Sequence, residues 1–65
     1  MKALIHKDTE INWKTVCYNR AWLGHITIMQ ELAQKLAYPF FMWNGWIFST
    51  EDGEDTGFAI KDLEN

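Results

Sequence analysis

The sequence predicts a single small domain of the α+β class, a small antiparallel sheet packed on one main helix. The element order is β-β-α-β-β, with room for a short extra strand at the end. Three observations carry this. Asn44-Gly45, the strongest short-range hairpin signal, sits between two apolar runs, Phe40-Phe41-Met42-Trp43 and Trp46-Ile47-Phe48. Residues 20–37 repeat their apolar positions with the period of a helix. Residues 11–18 alternate, with β-branched and aromatic side chains.

At 65 residues the chain is one domain, 1–65, with little room for a deep pocket beside a core. Four Trp, four Phe and two Tyr are how so short a chain reaches a sufficient core, and some of them suit an interface. The composition is that of a folded protein rather than a disordered one.

Residues 3–7 read as a short strand and Lys7-Asp8-Thr9-Glu10 as a turn. Residues 11–18 follow as a second strand, with Ile11, Trp13, Thr15 and Cys17 on one side. The rival is a helix beginning as early as Thr15. The main helix spans residues 20–37, with Asn19 as N-cap and Trp22, Ile26, Met29, Leu32, Ala33 and Leu36 on one face. Gly24 and the β-branched run at 26–28 weaken its first half. Tyr38-Pro39 ends it, because the residue before proline leaves the helical region.

A two-residue turn at Asn44-Gly45 sets the hairpin register. It pairs Trp43 with Trp46, Met42 with Ile47, Phe41 with Phe48 and Phe40 with Ser49. One face is then Phe41, Trp43, Trp46 and Phe48, all aromatic. The other is Phe40, Met42, Ile47 and Ser49. Both faces are apolar and one helix covers only one. The narrower aliphatic face is expected on the helix. That leaves the aromatic face partly open, or under the N-terminal strands with Trp13. Residues 50–57 form an acidic turn with two glycines. Phe58-Ala59-Ile60 return as a short strand beside residues 46–50, and 61–65 fray or form a helical turn.

The net charge of −3 is unevenly spread. Residues 1–38 carry five bases and three acids, residues 39–65 one base and six acids. An acidic end disfavours direct nucleic-acid binding, whose affinity comes from neutralising phosphates. It suits a protein partner with a basic surface. No apolar run is long enough to span a membrane. The lone Cys17 and the want of a basic-then-apolar leader point to the cytoplasm of the producing or host cell.

Cys17, His6 and His25 lack the spacing of a nucleophile–base pair or of a zinc site. The acidic turn is too short for a calcium loop and lacks its final glutamate. No catalytic residue, metal site or cofactor is expected. The expected function is therefore a non-catalytic protein-binding module, a small acidic inhibitor or regulator of a nucleic-acid-handling protein. Glu51, Asp52, Glu54 and Asp55 would compete with phosphates for a Lys/Arg surface, and Phe41, Trp43, Trp46 and Phe48 would anchor the contact. Small acidic proteins of phage and mobile elements, some anti-CRISPR proteins among them, work this way, an analogy of class alone. The alternative is a homo-oligomer, such as a symmetric dimer, that uses the aromatic face as its own interface.

Overall fold

The computed structural model describes residues 3–18 and 25–64. Their order is β1 (Leu4–His6), β2 (Thr9–Ile11), β3 (Val16–Cys17), α1 (Ile26–Lys35), β4 (Phe40–Trp43), β5 (Trp46–Ser49), β6 (Asp55–Ala59) and α2 (Ile60–Leu63). The class is α+β. β1 and β2 form a two-stranded hairpin, and the other four strands form a sheet in the order β3-β4-β5-β6. One pair in that sheet is parallel: β3 runs alongside β4, with Val16 opposite Phe40 and Cys17 opposite Phe41. A parallel neighbour needs a crossover, and α1 lies in the connection between the two strands.

The strand expected over residues 11–18 is instead two short strands in different sheets. The break is local chemistry at Asn12. Its Oδ1 accepts the Lys14 and Thr15 N–H groups at 2.8 and 3.2 Å. Thr15 Oγ1 accepts the Asn12 N–H at 2.8 Å and donates to the Glu10 carbonyl at 3.0 Å. These side chains satisfy backbone groups that a ladder would otherwise hold, so the chain turns. The preceding turn is tighter than expected. It is confined to Lys7-Asp8, with φ of 49° and 67°, and Thr9 and Glu10 join β2.

Asn19 and positions 20–24 of the expected helix lie outside the described residues. The helix is shorter than the expected 20–37: it begins at Ile26, because His25 is extended (φ −129°) and takes the N-cap position expected of Asn19, and it ends at Lys35, ahead of Tyr38-Pro39. Its end is a Schellman turn: the Tyr38 N–H bonds the Ala33 carbonyl at 2.9 Å and the Ala37 N–H bonds that of Gln34 at 3.2 Å. Ala37 occupies the left-handed position (φ 62°) usually taken by glycine.

The central hairpin has the expected register, Trp43 with Trp46 through to Phe40 with Ser49. Asn44 and Gly45 both have positive φ, 55° and 83°, the geometry of a type I′ turn. The expected assignment of its faces is reversed. Phe41, with Trp43 and Phe48 against it, packs beneath α1 on Met29 and Ala33. Phe40 and Ile47 pack with Ile11, Val16 and Ile60, and Leu4, Met42 and Leu63 close around them. The helix takes the wider face because it offers a small residue there: Ala33 leaves room for rings. The aliphatic face is covered by the N-terminal hairpin and α2. Trp13 does not join the aromatic cluster; it is exposed and edge-on to Tyr18 at 5.7 Å.

β6 starts earlier than expected, at Asp55, and gives up Ile60 to α2. Its register against β5 shifts between Trp46–Ala59 and Phe48–Asp55. Gly57 (φ 85°) sits in this irregularity, and Asp55 Oδ1 accepts its N–H at 2.8 Å. Thr56 Oγ1 donates to the Ile47 carbonyl at 2.8 Å, replacing a lost ladder bond.

Candidate functional site

The turn joining β5 to β6 carries Glu51, Asp52 and Glu54, and Asp55 opens β6 directly after it. Its backbone closes on itself: the Ser49 N–H bonds the Glu54 carbonyl and the Gly53 N–H bonds the Ser49 carbonyl, both at 2.8 Å. Gly53 holds the left-handed conformation this closure requires (φ 74°). Asp52 Oδ1 accepts the Glu54 N–H at 2.9 Å. The turn is also tied to its surroundings. Gln30 and Gln34, one helical turn apart on α1, both reach the Thr50 carbonyl from Nε2, at 3.1 and 3.3 Å. The Thr50 N–H bonds the Pro39 carbonyl at 3.0 Å.

Lys7, at the tip of the N-terminal hairpin, pairs with Asp52 Oδ2 at 3.3 Å. The Asp52 carboxyl is held below the ordinary carboxylate range, chiefly by the Glu54 N–H and then by Lys7. The same contact with Asp52 raises the Lys7 ammonium above its usual value. Both groups are open to solvent, so screening keeps the pair weak. The pair marks where the N-terminal hairpin comes close to the acidic turn.

Between them lies a groove of about 420 Å³. Its walls come from β1, from the Ala37-Tyr38-Pro39 connection and from the acidic turn. Two of its lining residues, His6 and Thr50, carry buried polar atoms, Nε2 and Oγ1, that have no hydrogen-bond partner among the described residues. Thr50 is 6% exposed, and the His6 ring stands edge-on to Phe40 at 6.1 Å. An unsatisfied buried polar group costs about 1–3 kcal/mol, so each such atom calls for a reason.

The sequence-predicted site residues divide into two groups. Glu51, Asp52, Glu54 and Asp55 stand together and are exposed. Two of them also serve the fold, Asp52 toward Glu54 and Asp55 toward Gly57. The four aromatics do not form an open surface. Phe41 is 0% exposed and stacks on Phe48 at 5.5 Å; Trp43 meets Phe48 edge-on at 6.2 Å. Phe41 is therefore a core residue and no contact for a partner, and Trp43 and Phe48 are half-buried beside it. Trp46 alone stays open, at 46% exposure. It stands at the far end of β5 from the acidic turn, about 10 Å from Ser49 at the usual strand rise.

Cys17 is buried under α1, and burial pushes its thiol up. His6 packs on Phe40, on the other face of the sheet, so these two do not pair. Among the described residues no three His, Cys, Asp or Glu side chains are grouped to hold a metal ion, and no helix is long and apolar enough to cross a membrane. Sequence reasoning weighed His6 only as a nucleophile's partner or metal ligand, and missed Gln30, Gln34 and Thr50. The one available signal was the Gln30/Gln34 pair, four apart on the polar side of the helix. Compared with protein-family models, with curated proteins and with solved structures, the chain matches none.

Proposed function

We propose that this chain is a non-catalytic protein-binding module that regulates or inhibits a nucleic-acid-handling protein by occupying its basic surface. The observation that supports this most is the acidic turn. It presents exposed carboxylates on a backbone already held by its own hydrogen bonds and by two glutamines of α1. Carboxylates carried on a braced backbone lose less freedom on binding than those on a mobile loop. A row of such carboxylates imitates phosphates toward Lys and Arg. The analogy with small acidic proteins of phage and mobile elements, anti-CRISPR proteins included, stays one of class.

The aromatic contribution to the contact narrows to Trp46. A symmetric self-interface through the four aromatics loses support for the same reason, since three of them lie beneath α1. Affinity capture from a bacterial lysate with mass spectrometry tests the reading. The expected result is a nucleic-acid-binding protein that elutes at moderate salt and is lost with Glu51→Gln/Glu54→Gln/Asp55→Asn. These amides remove charge, and the one at position 55 keeps an oxygen that can accept the Gly57 N–H. Recovery of no protein, or of the same proteins by both forms, would overturn it.

A further inference from the structure

The groove beside the acidic turn has features that the turn's charge does not explain. Thr50 Oγ1 and His6 Nε2 are buried in its lining and have no partner among the described residues. Glu51 stands at the same groove with an exposed carboxylate and no ion pair among the described residues. Lys7 also lines it, but its ammonium is engaged by Asp52. Local charge therefore favours a cation. Tyr38 and Pro39 contribute apolar surface to the same space, while Phe40 beside them is 2% exposed and belongs to the core.

We infer that this groove is a receptor for one arginine side chain of the basic partner. The inference rests on the proposed function and names the chemistry of its contact. A guanidinium is planar, carries five N–H donors and accepts nothing. The groove offers the complement. Glu51 supplies a carboxylate and Thr50 a hydroxyl oxygen, and His6 Nε2 is a further ring nitrogen without a partner among the described residues. The hydroxyl can turn about χ1 to meet a guest. The half-buried Tyr38 and the exposed Pro39 suit the guanidinium plane and its aliphatic stem. A lysine ammonium is a compact, strongly hydrated point charge and cannot use that surface in the same way. The groove thus separates arginine from lysine, whereas the acidic turn attracts both.

Titration of the isotope-labelled full chain with an arginine-rich and a lysine-rich peptide of equal length and charge tests this by NMR. The arginine peptide is expected to bind about tenfold more tightly, as a bidentate charged contact should. Its shifts should extend to His6, Tyr38 and Thr50. Thr50→Val keeps the backbone bonds and the shape while deleting the hydroxyl. It should leave amide dispersion intact and shrink the arginine preference severalfold. Glu51→Gln, at an exposed position, should do the same without threatening the fold. Equal affinity for the two peptides, with shifts confined to residues 51–55, would overturn the groove as an arginine site and leave the acidic-turn reading standing. An arginine preference unchanged in both variants would also overturn it. Failure of the folded protein to bind either peptide at low salt would count against both.

Discussion

Replacing Gly53 with alanine probes how the acidic turn is held. Two effects add. The residue has φ of 74°, and an L side chain in the left-handed region costs about 1–2 kcal/mol. A Cβ there would also lie 3.0 Å from Gln30 Oε1 and 3.3 Å from its Cδ, closer than such contacts normally come. The Gln30 amide is the flexible end of its side chain, so it would move. Moving it loosens its bond to the Thr50 carbonyl, worth about 0.5–1 kcal/mol when Gln34 still reaches the same oxygen. The total is about 2 kcal/mol, or roughly 10–15 °C in Tm for a domain of this size. Gly57→Ala is the internal control, since it has φ of 85° and nothing within 4 Å of the new Cβ. It should show the backbone effect alone. Thermal and urea unfolding of wild type, Gly53→Ala, Gly57→Ala, Gln30→Ala and the Gln30→Ala/Gly53→Ala double variant measure the coupling. Gly53→Ala should cost more than Gly57→Ala, and the double variant should cost about 0.5–1 kcal/mol less than the sum of its singles. Strict additivity would refute the claim that α1 braces this turn.

Three further outcomes follow from the same structure. Ala37→Gly, at the exposed left-handed end of α1, should raise stability by about 0.5–1 kcal/mol in denaturant melts, a gain limited by the freedom glycine adds to the unfolded chain. Phe41→Ala should cost about 3–5 kcal/mol and unfold much of the protein by circular dichroism, whereas Trp46→Lys should stay folded and monomeric by light scattering. The Asp52 carboxyl titrates lower in the folded chain than unfolded. Its stabilising effect is therefore present above the ordinary aspartate value and fades as pH falls through the folded one. Lys7 has the opposite sign, its effect present below the ordinary lysine value and lost as pH rises through the raised one. Urea melts from neutral pH down to about pH 2 should show the gap between wild type and Asp52→Asn closing in acid.

Much of this architecture is local, and what is local was legible. Asn44-Gly45 specifies a two-residue turn by the φ values its residues tolerate, and the register of β4 and β5 follows from it residue by residue. Tyr38-Pro39 marks the end of α1 by sterics alone. The apolar spacing of Met29 and Ala33 identifies the buried face of the helix. What covers each hairpin face was not legible, because it depends on volumes meeting across the chain. Ala33 accepts the aromatic rings, while Ile11, Val16 and Ile60 close over the aliphatic side. The break at Asn12 hid behind a pattern that also suits a strand. Its asparagine and threonine took over backbone hydrogen bonds that alternation alone assigns to a ladder. The acidic turn was visible as composition. Its bracing by Gln30 and Gln34, and the groove it forms with His6 and Thr50, join residues far apart in sequence and leave no periodic trace.

The proposed contact joins exposed carboxylates at the β5–β6 turn to a basic protein surface. It is tested most directly by the salt dependence of affinity for the captured partner. Isothermal titration at low and at physiological ionic strength, for wild type and for Glu51→Gln/Glu54→Gln/Asp55→Asn, gives the two slopes. Wild-type affinity should fall steeply as salt rises, and the amide variant should bind at least tenfold more weakly at low salt with a much flatter slope. Equal affinities and equal slopes for the two proteins would contradict it.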